Sequence, residues 1–108
     1  MEIKAVFFDI DGTLVNDSRM VLKSTEKAIR ALKEQGIFVG LATGRGPFFV
    51  RPFIKRYDFD FAVTYNGQYI FTKDKVLSAS PIDKKNLHDL IAYAKKHRIE
   101  IAFGTEDG

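Results

Sequence analysis

Short apolar runs alternate with segments of helical periodicity along most of this chain. Such alternation is typical of strand-helix-strand units, whose parallel strands form a sheet that helices cover on both faces. The sequence therefore predicts an α/β fold. Three helices are predicted: two follow the candidate caps Ser24 and Asp83, and one begins at Pro47. The predicted strands are Ala5–Phe8 and residues 37–42, 61–63, 68–72, 76–78 and 99–103.

The first strand and the helices carry local signals of their own. Ala5–Phe8 is an unbroken apolar run that is too short for a helix, so we expect a strand buried on both faces. The first helix should end just before Gly36, where a left-handed residue is favoured. Pro47 suits the first turn of the second helix, which Pro52 is expected to kink or divide.

The composition excludes several classes of protein and partner for this chain. The chain has 108 residues, enough for one small domain, and no cysteine, which excludes disulfides and thiolate metal sites. Its formal charge of +3 comes from basic residues scattered among acidic ones, a pattern of solvated helix faces rather than of nucleic-acid binding. The N-terminus fits neither a signal peptide nor a spanning helix, so we expect a soluble, cytoplasmic protein with no membrane partner. Three aromatic residues are expected in the core: Phe48, Phe49 and Phe53.

The pattern that says most about chemistry is Asp9-Ile10-Asp11-Gly12-Thr13, directly after the first predicted strand. Two carboxylates at a strand end can meet at one site, and open α/β sheets bind ligands at the carboxyl ends of their strands. One carboxylate can attack phosphorus while the other exchanges a proton with the leaving group and then with water. Because two carboxylates would repel an anionic phosphate, the pattern also predicts a bound Mg²⁺.

A second motif, Ala42-Thr43-Gly44-Arg45, follows the strand predicted at residues 37–42. Together the two motifs resemble motifs one and two of the haloacid dehalogenase superfamily. The Asn66-Gly67 turn and the new unit that begins near Pro81 resemble its Cof-type branch of sugar-phosphate phosphatases. The resemblance implies a three-layer, Rossmann-like parallel sheet, followed by the beginning of an α+β cap domain.

The resemblance also implies a role for each residue of these motifs. Asp9 would be the nucleophile that forms an aspartyl-phosphate, Asp11 would be the acid/base, and Asp9 with the Asp11 carbonyl would bind Mg²⁺. Thr43 would hold the transferring phosphoryl oxygens. Arg45 could face a substrate phosphate or simply solvate its loop, and both readings stay open. The remaining phosphate-binding positions are the backbone amides around Ile10 and Gly44 and the turn at Asn66 and Gly67.

The implied organisation is a partial hydrolase core at residues 1–80 and the beginning of a cap domain at residues 81–108. In this family a lysine motif and an acidic metal-binding motif follow the cap, and neither is present here. The expected function is Mg²⁺-dependent hydrolysis of a small phosphate monoester, such as a sugar phosphate. A phosphomutase and a non-catalytic fragment or interaction module remain as alternatives, and activity of the 108-residue chain alone is left open.

The resemblance places the strand at Ala5–Phe8 in the middle of the family's sheet, where strands from beyond the cap cover one of its sides. In this chain that edge is expected to be unpaired. An exposed apolar edge favours pairing with another chain. We therefore expect self-association through this edge, by edge pairing or strand exchange, or else a chain that is poorly soluble and only partly folded.

Overall fold

A five-stranded sheet organises residues 2–108, the part of the chain that the computed structural model describes. Its strands are β1 (Ala5–Phe8), β2 (Phe38–Ala42), β3 (Phe61–Thr64), β4 (Tyr69–Thr72) and β5 (Val76–Ala79). The helices are α1 (Lys23–Glu34), α2 (Pro47–Tyr57) and α3 (Lys84–His97). The strands lie side by side in chain order. Neighbours among β1, β2 and β3 are parallel, whereas β4 and β5 are each antiparallel to the preceding strand.

The order and direction of the strands determine which type of connection joins each pair. Helices α1 and α2 connect the parallel strands, as crossover connections must. A short 3₁₀ turn at Tyr65–Gly67 reverses the chain between β3 and β4. The predicted α/β class is confirmed, and the return of the chain after Asn66-Gly67 is also confirmed.

The core lies on one face of the sheet. Val39 and Leu41 of β2 point to this face, and both are fully buried. Ile29 of α1 and Val50 of α2 pack into the same cluster, as does Ala62 of β3. Burial of such aliphatic side chains stabilises the fold by about 1.5–3 kcal/mol each. The cluster therefore fixes the two crossover helices against the parallel strands, at whose ends the candidate site lies.

The opposite face of the sheet carries a pair of aromatic rings. Phe7, Gly40 and Phe61 are register neighbours on β1, β2 and β3. The rings of Phe7 and Phe61 meet across Gly40, with centroids 4.8 Å apart. A Cβ at Gly40 would lie 2.0 Å from the Phe61 ring, so only glycine fits beneath it. Phe7 remains 53% exposed.

The predicted strand at Ala5–Phe8 is present, but its predicted burial on both faces is wrong. Ala5 and Phe7 are exposed, and Val6 and Phe8 are half-buried. The reason is the position of β1 at the edge of the sheet, where it pairs with β2 alone among the described residues. One side of the strand and one of its faces therefore meet solvent.

Two other local predictions are also wrong. The residue before α1 is Leu22 rather than Ser24, and it makes no side-chain capping bond. The strand predicted at residues 99–103 does not form, and Ile99, Ile101 and Phe103 are exposed. An extended segment becomes a strand only when its backbone pairs with another, and no strand is paired with these residues in the described chain.

The remaining helix signals have mixed outcomes. Gly36 follows the end of α1 with φ of +78°, which confirms the predicted left-handed residue. Pro47 is the first residue of α2, as predicted, but the helix is not divided at Pro52. Asp83 directly precedes α3, although its carboxylate caps no backbone N–H. Within residues 2–108, none of the helices has both the length and the apolar character needed to cross a membrane.

Candidate active site

The turn after β1 is fixed by buried anchors and backbone hydrogen bonds. Ile10 and Leu14 are almost fully buried, whereas Asp9 and Asp11 are exposed. The Leu14 N–H donates to the Asp9 carbonyl at 3.0 Å, and the Ile10 N–H donates to the Asp9 carboxylate at 3.0 Å. Gly12, with φ of +77°, supplies the left-handed residue that the sharp turn needs. The two carboxylates are thus held at the surface by a turn whose apolar residues lie in the core.

The loop after β2 is built around Thr43. This residue is only 7% exposed, and its N–H donates to the Val63 carbonyl at 2.9 Å. Its hydroxyl accepts a hydrogen bond from the Arg45 N–H at 3.0 Å. The Asn66 N–H donates to the Thr43 carbonyl at 3.1 Å, which joins this loop to the turn after β3. The ends of β2 and β3 are therefore held together at the same edge of the sheet.

Five of the predicted site residues meet at one groove. The groove has a volume of about 380 Å³ and lies at the carboxyl ends of β1, β2 and β3. Those five are Asp9, Thr43, Gly44, Asn66 and Gly67. We name this the Asp9 groove. Open α/β sheets bind ligands at this edge, so its location agrees with a binding function.

Three predicted site residues do not line the Asp9 groove. The Ile10 side chain is buried in the core beneath the turn. Asp11 and Arg45 instead bind each other: Arg45 Nε lies 2.9 Å from Asp11 Oδ2, and Arg45 Nη2 lies 3.0 Å from Asp11 Oδ1. This forked geometry is the strong form of an arginine-carboxylate pair.

The pair has electrostatic consequences for both residues. The hydrogen bond and positive charge of Arg45 hold the pKa of Asp11 below its usual value, and the Asp11 carboxylate raises the pKa of Arg45. Arg45 also lies over the Phe49 ring, 4.1 Å from its centroid. In this arrangement Asp11 is a carboxylate, the form suited to accept a proton.

Sequence reasoning missed the role of Phe49. Phe48 and Phe49 are exposed, by 64% and 39%, so their prediction as core residues is wrong. Phe53 is half-buried against the core, as expected. Helical spacing gave no signal for this contact, because Arg45 lies before Gly46, the extended residue that precedes α2.

The oxygen donors beside the groove fit Mg²⁺ better than a soft metal. Asp9 offers an exposed carboxylate, and the backbone offers the Asp11 carbonyl. Mg²⁺ commonly takes one or two carboxylates and completes its shell with water and phosphate oxygens. Among residues 2–108, His, Cys, Asp and Glu side chains form no cluster of three or more that could hold a metal. An ion bound by this chain would therefore depend on water or phosphate for most of its ligands.

Comparison with known proteins identifies the family. Residues 6–108 match the haloacid dehalogenase-like hydrolases. The chain belongs to this family. It is 32% identical over 107 residues to the provisionally named phosphatase YkrA of Bacillus subtilis (strain 168), covering 99% of this chain and 42% of YkrA. This haloacid dehalogenase-like chain thus spans about two fifths of that relative.

Solved structures give the same placement for this haloacid dehalogenase-like chain. A protein of Geobacillus kaustophilus HTA426 aligns with a TM-score of 0.83 and 38% identity, covering 90% of this chain and 38% of that one. The HAD subclass IIB sugar phosphatase BT4131 aligns with a TM-score of 0.73 and 33% identity, covering 87% of this chain and 38% of that one. The predicted membership in the haloacid dehalogenase superfamily is confirmed.

Proposed function

We propose that this haloacid dehalogenase-like chain carries the nucleophile site of a Mg²⁺-dependent phosphatase for a small phosphate monoester, such as a sugar phosphate. The observation that supports this most is the Asp9 groove, which Asp9 and Thr43 line together at the carboxyl ends of β1 and β2. The names of two similar proteins agree with it, since BT4131 is a sugar phosphatase and YkrA is provisionally a phosphatase.

The proposed reaction has two displacements at phosphorus. An Asp9 carboxylate oxygen forms a bond to phosphorus while the ester P–O bond breaks, and the leaving oxygen takes a proton from the Asp11 carboxyl group. A water molecule then gives a proton to the Asp11 carboxylate and attacks the aspartyl-phosphate. Inorganic phosphate leaves, the Asp9 carboxylate is regenerated, and Asp11 is protonated again.

Other residues of the groove would stabilise charge in these steps. The Thr43 hydroxyl already accepts the Arg45 N–H, so its own proton is available to a phosphoryl oxygen. The Gly44 N–H and the Asn66-Gly67 turn would supply further donors. The Ile10 N–H, which donates to the Asp9 carboxylate in this structure, would join them once it moved from that carboxylate to the phosphate. Asp9 and the Asp11 carbonyl would hold Mg²⁺, which offsets the repulsion between carboxylate and phosphate.

Arg45 would change partners during this reaction. Protonation of the leaving oxygen requires the acid form of Asp11, and the Arg45 pair favours the carboxylate form. An incoming phosphate competes with Asp11 for the guanidinium, because both are oxygen anions that suit its forked donors. Transfer of Arg45 to the phosphate would release Asp11 for its acid role.

The domain division is part of the proposal. Residues 1–80 would form part of the hydrolase core, and residues 81–108 would begin the cap. Of the residues in α3, only Ala94 is buried, so this helix contributes little to the core around β2. Limited proteolysis tests the boundary, and preferred cleavage at residues 80–83 is expected.

The test uses p-nitrophenyl phosphate with Mg²⁺, and the 108-residue chain as the enzyme. We expect slow turnover that disappears in Asp9→Asn and is retained in Asp17→Asn, a control that changes an exposed aspartate of the following loop. Asp11→Asn should slow mainly the second displacement, because p-nitrophenolate leaves readily without a proton whereas water must still be deprotonated. Full turnover in Asp9→Asn would refute the covalent role. Oxygen-18 from labelled water should appear in the released phosphate, whereas a phosphomutase would move the phosphoryl group to a second substrate hydroxyl.

A non-catalytic module is the second candidate. The observation in its favour is the sparse metal site, since no third acidic or histidine side chain joins Asp9 and Asp11 in the described residues. Weak metal binding removes charge stabilisation at the phosphoryl group. This candidate predicts no Asp9-dependent turnover at any Mg²⁺ concentration, together with a folded chain.

We also propose that the chain self-associates through β1. This strand has one unpaired edge among the described residues, and Ile3, Phe7 and Phe38 beside it are more than half exposed. Unpaired apolar edges favour strand pairing between chains. Light scattering should give a mass above 12.3 kDa, and Phe7→Lys should restore the monomer. A monomeric unsubstituted chain would contradict the proposal.

A further inference from the structure

The turn after β3 has an unusual backbone. Tyr65 and Asn66 have φ of +47° and +54°, in the left-handed region that residues with a Cβ seldom occupy. Two hydrogen bonds hold this conformation. The Tyr65 N–H donates to the Arg45 carbonyl at 2.9 Å, and the Asn66 N–H donates to the Thr43 carbonyl at 3.1 Å. The turn is therefore bonded twice to residues 43–46, which we name the groove loop.

The Tyr65 side chain connects the groove loop to a distant part of the chain. Its hydroxyl donates to the Thr105 carbonyl at 2.7 Å. A glycine lies on each side of the phenol: a Cβ on Gly46 would lie 2.4 Å from the hydroxyl oxygen, and a Cβ on Gly104 would lie 2.5 Å from it. Any side chain at either position would push the ring. The phenol is thus held between the groove loop and residues 104–107.

Other contacts hold residues 104–107 without reaching the groove loop. The Tyr69 hydroxyl donates to Glu106 Oε2 at 2.8 Å, and Arg51 Nη1 donates to the Glu106 carbonyl at 3.0 Å. These contacts attach the segment to β4 and α2. Tyr65 differs from both residues because its backbone and its ring also contact the groove loop.

We infer that Tyr65 is a positioning residue that couples the placement of residues 104–107 to the conformation of the groove loop. A displacement of Gly104 or Thr105 moves the phenol, and the Tyr65 and Asn66 amides carry that movement to the carbonyls of Arg45 and Thr43. The structural coupling does not depend on the proposed function, but its predicted effect on phosphate binding does. Phosphate affinity would then depend on a segment that does not line the Asp9 groove.

The experiment adds a methyl group at Gly104, which pushes the Tyr65 ring from the side opposite the groove loop. Gly104→Ala in the 108-residue chain should shift the amide resonances of Gly44 and Gly46. It should also weaken binding of inorganic phosphate, measured by the same spectra with Mg²⁺ present, by about fivefold or more. In a Tyr65→Ser background the added methyl group meets no ring, so Gly104→Ala should change neither quantity further. Asp107→Asn is the control, because it changes an 85% exposed side chain of the same segment that does not touch the Tyr65 ring, and it should leave the Gly44 and Gly46 resonances in place.

Three results would overturn the inference: unchanged Gly44 and Gly46 resonances in Gly104→Ala, an equal shift in Asp107→Asn, or an effect that persists without the Tyr65 ring. If Gly104→Ala unfolds the chain, Tyr65→Phe removes a single oxygen and should still shift Gly46 and speed hydrogen exchange at Thr105. An unshifted Gly46 resonance there would also refute the coupling. Failure of the unsubstituted chain to bind phosphate would refute the proposed function instead, since the amide shifts are read without phosphate.

Discussion

Replacement of Thr43 by valine removes the hydroxyl group and leaves the shape of the side chain nearly unchanged, so it tests the hydroxyl alone. Valine has nearly the volume of threonine, so the 7% exposed site stays filled while the hydrogen bond from the Arg45 N–H is lost. That loss costs about 0.5–1.5 kcal/mol. Arg45 is exposed, so water can reach the freed N–H and the cost should fall near the lower limit. The midpoint of thermal unfolding should fall by roughly 4–8 °C for each kcal/mol lost.

The effect on ligand binding should be larger than the effect on stability. A hydrogen bond from the Thr43 hydroxyl to a charged phosphate oxygen is worth about 1.5–3 kcal/mol, which corresponds to a loss of roughly 10- to 150-fold in affinity. Inorganic phosphate titrated with Mg²⁺ into the Thr43→Val chain, followed by amide spectra, measures this ratio. Thr43→Ser keeps the hydroxyl and should bind within about threefold of the unsubstituted chain, a loss below 1 kcal/mol.

The reasoning fails if Thr43→Val binds phosphate as well as Thr43→Ser does. It also fails if serine loses as much affinity as valine, because the methyl group rather than the hydroxyl would then matter. Unfolding midpoints of both variants are needed beside the affinities. A stability loss of several kcal/mol in Thr43→Val would mean that the hydroxyl supports the loop more strongly than its one described hydrogen bond accounts for.

Two further predictions concern the sheet and the ion pair. Gly40→Ala places a methyl group against the Phe61 ring and should lower the free energy of unfolding, measured in urea, by about 1–3 kcal/mol. The same change in a Phe61→Leu background should cost much less, and equal costs would contradict the packing argument. The pKa of Asp11 is lowered in the folded chain, so its contribution to stability is present above the unfolded pKa and is lost as the pH falls through the folded pKa. Carboxyl carbon shifts should show the Asp11 pKa rising towards its usual value in Arg45→Gln, and an unmoved pKa would mean that another group lowers it.

The parts of the fold that could be predicted from the sequence depend on neighbours close in the chain. The apolar run before Asp9, the Gly36 helix end and the Pro47 helix start each express a local backbone preference, and each is present in the structure. The turn at Asn66-Gly67 belongs to the same group, since its left-handed backbone suits both residue types. These signals were sufficient to bring Asp9 and Thr43 to one edge of the sheet.

The parts that could not be predicted depend on partners far along the chain. The family resemblance predicted the unpaired edge of β1, but the apolar run Ala5–Phe8 by itself predicted burial on both faces. No local property of the run encodes the absence of a second neighbouring strand in the described residues. Residues 99–103 have strand-like composition but no backbone partner. The pairing of Arg45 with Asp11 joins residues 34 positions apart, so the two motifs were recognisable separately while their direct contact was not.

The charged residues at the Asp9 groove link the binding of a phosphate to the protonation of Asp11. Asp9 lines the groove, and Arg45, the cation paired with the second carboxylate, contacts both Asp11 and the Phe49 ring. A phosphate that entered this groove would add negative charge beside Asp9. Under the proposed function, the exposed Arg45 side chain supplies positive charge by rotating away from Asp11. The same rotation removes the interaction that keeps the pKa of Asp11 low. Under the proposed function, arrival of the substrate and conversion of Asp11 to its acid form are therefore favoured by one movement of one side chain.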